Sequence, residues 1–259
     1  MITIIGDHIL DEYVSYRTTS KISPETGVPI LNEIPDETMY NEGGSGAVKQ
    51  MVMALGEFPL YLGKGNTAKT RITIDGKELY RIDDDVPYTD SIDLSEIEDG
   101  IVLVADYGKG VVSDDLLARL FKLKGIRIIV DPARGVPIER YEGAFGILPN
   151  RVEAGISKAL RQDEAIIEAH AFIAKYRKLF RHITVKLDKF GMLCDDLHFP
   201  STCEQVIDVC GAGDMVLAAT GVYLHRGHDW IESCKFANKM AGLKCQQRGA
   251  KIDLQIGDC

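Results

Sequence analysis

Ile101-Val-Leu-Val-Ala105, Ser113-Asp-Asp-Leu-Leu-Ala-Arg-Leu-Phe-Lys-Leu123 and Ile126-Arg-Ile-Ile-Val130 follow one another in this chain. The two outer runs are short and almost entirely apolar, which suits strands covered on both faces. Between them Ser113 stands as an N-cap, and Leu116, Leu117 and Leu120 recur at helical spacing. The rhythm continues through the apolar runs Phe145–Leu148 and Ile183–Val185, separated by the helical stretch Asp163–Phe180. Two further helices are expected near Gly211–Leu224 and Asp229–Gln246. Upstream, residues 1–5 read as one more buried strand, and Val48, Met51, Val52 and Leu55 place a helix over Gly44–Leu55. Alternating strands and helices with apolar strands predict an α/β fold in three α/β/α layers, with a mostly parallel central sheet.

Residues 11–40 and 68–85 break this rhythm. They are short β-type pieces interrupted by Pro24, Pro29 and Pro35, and Asp75-Gly76 between Thr70–Ile74 and Leu79–Ile82 is a two-residue hairpin signal. Both segments are expected to form one small sheet beside the main domain, a β lid over a site. Asp83-Asp84-Asp85 reads as a solvated strand end.

The chain has 259 residues, 45% of them apolar, with a net charge of −9 and a mean hydropathy of −0.05. That describes a globular chain with one substantial core. No run approaches the roughly 18 apolar residues of a membrane helix, so no membrane partner is expected. The N-terminus reaches Asp7 too soon for a signal peptide. The six cysteines, Cys194, Cys203, Cys210, Cys234, Cys245 and Cys259, form no CxxC pair. Reduced thiols in a cytoplasmic protein are therefore expected. The acidic balance argues against nucleic acid as a partner, since phosphate backbones select basic faces.

The chemistry concentrates in Asp208-Val-Cys-Gly211-Ala212-Gly213-Asp214, which opens an apolar helical run. Glycines there admit a ligand close to the backbone. The following helix aims its free N–H groups and positive dipole end at that ligand. A transferring phosphoryl group fits such a loop, and Asp214 can take the proton of an attacking hydroxyl. The bland reading is a glycine-rich helix start with Asp214 as a first-turn acid. Asn150 and Glu153, directly after the strand Phe145–Leu148, read equally well as a cap and its capping-box partner.

These stretches together resemble the PfkB family of carbohydrate kinases. Asp208–Asp214 is similar to the family's signature, with Cys210 where threonine is usual, and Asn150-Arg-Val-Glu153 is similar to its Asn-x-x-Glu motif. The resemblance implies a single ribokinase-like kinase domain over residues 1–259, using ATP and Mg²⁺. Asp214 is then the catalytic base, with Gly211, Ala212 and Gly213 around the phosphoryl group. Asn150 and Glu153 would organise Mg²⁺ and phosphates, largely through water. Lys186, Asp208 and Asn238 are the further nucleotide-side candidates. Asp7, after the first strand, and Gly43-Gly44, before the first helix, are similar to the family's sugar-contacting motifs.

A narrower resemblance is to bacterial heptose 7-phosphate kinases. It is carried by Gly6-Asp-His-Ile-Leu-Asp11-Glu-Tyr13, Ser20–Pro29, Lys69-Thr-Arg71, Ala105-Asp-Tyr-Gly-Lys-Gly110, Val130-Asp-Pro132 and Phe236-Ala-Asn238. It implies phosphorylation of the anomeric hydroxyl of a sugar phosphate, with Asp11, Arg71 and Lys109 as further substrate-binding candidates. That subfamily is often fused to a nucleotidyltransferase domain; this chain is expected to carry the kinase activity alone. An exposed lid strand also offers an edge for a homodimer. Two departures keep a rival open: Ala47 replaces a usual asparagine, and the stretch between Gly65 and Lys69 is short. The rival is a non-catalytic or altered-specificity sugar- or nucleotide-binding relative. His225-Arg-Gly-His228 matches a nucleotidyltransferase pattern, but its place between two helices makes it a polar turn.

Overall fold

The computed structural model describes residues 1–31 and 34–247 of the chain. The sheet starts with β1 (Ile2–Tyr16), and a separate two-stranded ribbon follows, β2 (Thr18–Ile22) with β3 (Pro29–Leu31). β4 (Glu37–Gly44) returns antiparallel along β1 and leads into α1 (Ser45–Ala54). β5 (Leu60–Ile74) and β6 (Lys77–Asp84) form the hairpin over Asp75-Gly76. Both turn residues have left-handed φ values, 49° and 77°, as a type I′ turn demands.

From β7 (Gly100–Ala105) onward the chain alternates as its sequence rhythm implies: α2 (Asp114–Leu120), β8 (Ile126–Asp131), β9 (Gly146–Ile147), α3 (Gln162–Tyr176) and β10 (His182–Lys186). Two short antiparallel strands, β11 (Met192–Cys194) and β12 (Leu197–Phe199), then precede the closing helices α4 (Ala212–His225) and α5 (Trp230–Cys245). His225–His228 is the expected polar turn between those two helices. Its His228 stacks on Tyr223 at 3.9 Å between ring centroids.

The strand order is β12-β11-β10-β9-β8-β7-β1-β5-β6, and the pairs from β10 through β5 are parallel. Neighbouring residues on the central strands point into different layers. Ile4, Ile101 and Leu103 pack with α1, α4 and α5, whereas Ile5, Val102 and Val104 pack with α2 and α3. Each such fully buried side chain contributes about 1.5–3 kcal/mol of transfer free energy. The fold is therefore α/β in three layers. No helix among the described residues is long and apolar enough to cross a membrane.

The lid differs from the separate small sheet expected. β1 and β5 run 15 residues each and pass from the central sheet into the outer part without a break, so β1, β4, β5 and β6 share one hydrogen-bonded sheet. The apolar run Ile2–Ile5 ends where helices stop covering both faces, not where the strand stops. Prolines 24, 29 and 35 fall in β3 and the connections beside it, leaving β1 uninterrupted. A register shift between Asp7 and Ile9 marks the transition.

Gly44 caps α1 with φ 57°, and a Cβ there would lie 2.3 Å from the Asp7 carbonyl oxygen. Left-handed strain and this clash with fixed backbone add, so Gly44→Ala should destabilise the fold by about 2–4 kcal/mol. Thermal unfolding checks it: an unchanged Tm would show that the β4–α1 corner gives way easily.

Candidate active site

Asp214 sits in the first turn of α4, directly after the glycine loop, and is 8% exposed. Gly211 caps the helix at φ 77°, and Asp208 braces the loop by accepting the Cys210 N–H at 2.9 Å. The free N–H groups of the α4 N-terminus and its dipole thus face the same space as the Asp214 carboxylate. Burial pushes the Asp214 carboxyl up to about 6. The nearby Asp131 charge adds to that rise, while the Tyr107 hydrogen bond and the Lys186 ammonium oppose it. A carboxylate poised near neutrality and aimed at a helix N-terminus suits proton removal from a hydroxyl.

Lys186 ends β10 and donates to Asp131 Oδ1 at 2.6 Å, with both side chains largely covered. A Cβ on Gly213 would lie 3.4 Å from Lys186 Nζ and 3.6 Å from Asp131 Oδ2, so this pair forms the floor beneath the loop. Asn150 pairs with Lys186 through a parallel bridge. Its Oδ1 accepts the N–H groups of Val152 and Glu153 at 2.8 and 3.1 Å, and Glu153 Oε2 accepts the Asn150 N–H at 2.7 Å. The capping geometry is present, although residues 151–155 form turns rather than a helix. Burial raises the Glu153 carboxyl, and the Asp131 charge raises it further.

A cavity of about 560 Å³ opens beside this cluster, lined by Asn150, Lys186, Gly213 and Asn238 among others. Asn238 on α5 is anchored by donating to the Pro200 carbonyl at 2.7 Å. Asn150, Lys186 and Asn238, far apart in sequence, thus share a cavity with the glycine loop. Cys203 and Cys245 also line it. The five described cysteines are free thiols, and Cys259 lies outside the described residues.

On the lid side Asp7, expected as a substrate contact, binds the loop after β7. It is fully buried, with Oδ2 accepting the N–H groups of Tyr107 and Lys109 at 2.7 and 3.2 Å, and Oδ1 that of Val111 at 3.0 Å. It ends the continuous buried run Ile2–Asp7 of β1 and faces the loop after β7. Arg71 and Lys109, expected to meet a substrate phosphate, hold carboxylates instead. Arg71 pairs with Asp11 at 2.6 Å and Lys109 with Asp85. Gly43 packs on Asp11, where a Cβ would lie 2.3 Å from Oδ2. Ala47, the departure noted above, is buried in the apolar layer around α1 and α4.

Two residues of the site carried no role in the sequence reading. Tyr107 donates its hydroxyl to Asp214 Oδ1, and Asp131 holds Lys186. The Ala105–Gly110 and Val130–Pro132 motifs contain both, and their positions at the carboxyl ends of β7 and β8 were the available signal. In open α/β sheets ligands gather at the carboxyl ends of the strands.

A glycine loop at a helix start, a buried carboxylate beside it and a cavity at the strand ends define a phosphotransferase-type site on a ribokinase-like sheet. Residues 67–256 match the pfkB family carbohydrate kinase pattern, and the chain belongs to that family. It is similar to proteins named "Bifunctional protein HldE". The one from Syntrophotalea carbinolica is 28% identical, over 93% of this chain and 58% of its own length. That from Azorhizobium caulinodans is 29% identical, over 97% and 62%. The chain thus spans about three fifths of these curated relatives. Among solved structures, ribokinase from Thermotoga maritima superposes with a TM-score of 0.66 at 18% identity, covering 96% of this chain and 94% of that one. Arabidopsis thaliana ribokinase complexed with ribose and ATP superposes at 0.67 with 18% identity, covering 96% and 93%. At these identities the likeness establishes the fold.

Asp7→Asn should lower stability by about 2–4 kcal/mol, because one of the two oxygens accepting three backbone N–H groups is lost in a buried place. Chemical denaturation checks this. A protein of parental stability with a raised KM for the acceptor would return Asp7 to the substrate.

Proposed function

We propose that this chain transfers the γ-phosphate of ATP to a hydroxyl of a sugar or sugar phosphate, with Asp214 as the base. The observation that carries the reading is the buried Asp214 carboxylate at the N-terminus of α4, flanked by the glycine loop and the Lys186–Asp131 pair. In the proposed step Asp214 takes the acceptor hydroxyl proton as the acceptor oxygen bonds to the γ-phosphorus. The bond to the β,γ-bridging oxygen breaks, and ADP leaves with that electron pair. The α4 N–H groups face the phosphoryl oxygens, where charge stabilisation counts most.

Asn150 and Glu153 suit Mg²⁺ held through water. Asp131 and Glu153 lie together beside Lys186, with Arg134 also acting on Glu153, and burial raises both carboxyl groups, so a bound cation would favour their ionised forms. Mg²⁺ keeps several of its waters and takes oxygen ligands from few protein groups. When bound, the ion would neutralise phosphate charge.

The acceptor we propose is the anomeric hydroxyl of a heptose 7-phosphate. The resemblance of Gly6–Tyr13 and Ser20–Pro29 to that subfamily supports it, as do the cations Arg71 and Lys109 at the base of the lid. Both are held by lid carboxylates, which an acceptor phosphate would displace. We further propose a homodimer through the lid. β6 ends the sheet, and Met39, Tyr40, Leu79, Tyr80 and Ile82 on β4 and β6 are 46–65% exposed.

Asp214→Asn keeps shape but removes the proton acceptor, so kcat should fall about 10²–10⁴-fold with nucleotide binding retained. Activity within a few-fold of the parent would end the base assignment. In the parent, kcat should rise with pH and level off above about 6, because the carboxylate must be ionised to accept the proton. Nucleotide consumption measured across sugars and sugar phosphates identifies the acceptor. No Mg²⁺-dependent transfer to any of them would favour the non-catalytic rival. Light scattering should give twice the 28.6 kDa chain mass, and a monomer would remove the dimer.

A further inference from the structure

Tyr107 is gripped at three points. Its backbone N–H is bound by the buried Asp7 carboxylate, its hydroxyl donates to Asp214 Oδ1, and Lys69 Nζ lies over its ring at 5.7 Å from the centroid. Lys69 belongs to the outer half of β5, where it stands in register between Asp11 on β1 and Asp83 on β6. A tyrosine with only a packing role would need none of these polar contacts. The loop carrying it is fixed twice more: Asp106 accepts the Gly108 N–H at 2.8 Å, and Arg140 pairs with Asp106 at 2.8 Å. The hydroxyl therefore reaches Asp214 from a rigid support.

We propose that Tyr107 is a positioning residue for the transfer reaction: its hydroxyl occupies one oxygen of Asp214, turns the other toward the acceptor hydroxyl, and favours the ionised carboxylate. The inference rests on Asp214 being the base. A fixed donor on Oδ1 removes rotational freedom from the carboxylate and leaves a single oxygen to take the proton. The same donor stabilises the anion, because a hydrogen bond to the charged form favours that form. The other charges facing Asp214 are Asp131 from the end of β8, Lys186 from β10, Asp11 from β1 and Lys244 from α5. Those facing Tyr107 are Asp214, Asp131, Asp11 and Lys69. Of these groups Tyr107 is the neutral one that donates directly to the base, so removing it changes no formal charge.

The experiment compares the pH dependence of kcat for the parent, Tyr107→Phe, and a protein with 3-fluorotyrosine at position 107. In Tyr107→Phe, kcat should fall about 10-fold or more, with KM for ATP within about two-fold. The acid limb should move to higher pH, because the anion has lost its donor. Fluorotyrosine is a stronger donor, so its limb should move the opposite way. Limbs that coincide with the parent's in both proteins would overturn the proposal, as would a phenylalanine variant turning over within two-fold of the parent. Should Tyr107→Phe fail to fold, the direction of the fluorotyrosine shift decides alone. Asp214→Asn separates the two claims: if it stays active, the base assignment falls. If it is inactive while Tyr107→Phe matches the parent, only the positioning role falls.

Discussion

The Asp7 carboxylate is the contact on which the site depends. It lies where β1 leaves the double-covered part of the sheet, fully buried, and among the described residues no cation pairs with it. Three backbone N–H groups of one loop stabilise its charge instead, the arrangement that makes a buried carboxylate tolerable. The loop so held carries Asp106, Tyr107 and Lys109, which reach toward Arg140, Asp214 and Asp85 respectively. On its other side the Asp7 carbonyl leaves no room for a side chain at Gly44. One residue therefore ties together the start of the lid, the first helix and the loop that reaches Asp214.

Around that support three buried carboxyl groups cluster. Asp214, Asp131 and Glu153 all feel the Lys186 ammonium, with Arg134 also acting on Glu153 and Lys244 on Asp214, and burial raises all three carboxyl groups. A fold built for stability alone would avoid this, since each buried carboxylate costs free energy unless it is paired. Such a cluster fits the phosphates, cation and proton of the proposed reaction. Local rules broken at a site and satisfied elsewhere are the pattern expected of function.

The lid shares its backbone with the core. Because β1 and β5 run through both, movement of the outer sheet is a bend of continuous strands near the register shift at Asp7 and Ile9, not the swing of a separate piece. Charged side chains cross the same boundary. Arg71 binds Asp11 on the lid, with its charge felt at Cys210 in the glycine loop, and Lys69 covers the ring of Tyr107. The lid and the glycine loop thus meet through a few polar side chains rather than through the apolar layers.

By itself the sequence determined the layers and the glycine loop, because both are local. Apolar runs such as Ile101–Ala105, the spacing of Leu116, Leu117 and Leu120, the Asp75-Gly76 turn and the Gly211–Asp214 loop each declare themselves within a few residues. Most element ends followed within about two residues, but α2 and α3 stop at Leu120 and Tyr176, short of the expected Leu123 and Phe180, and β1 and β5 run on well past theirs. There the change from a doubly buried to a half-exposed strand looks in sequence like a strand ending. Only the tertiary structure decided how each polar side chain is used. Asp7 reads as a substrate contact until its neighbours 100 to 104 residues away are seen to be backbone N–H groups. Tyr107 and Asp131 sit at readable strand ends, but their partners appear only when β7, β8, β10 and α4 come together, with the Tyr107–Asp214 contact spanning 107 residues of chain. Periodicity reports which face of an element is covered; the partner of a buried charge is set by chain crossings that no local pattern encodes.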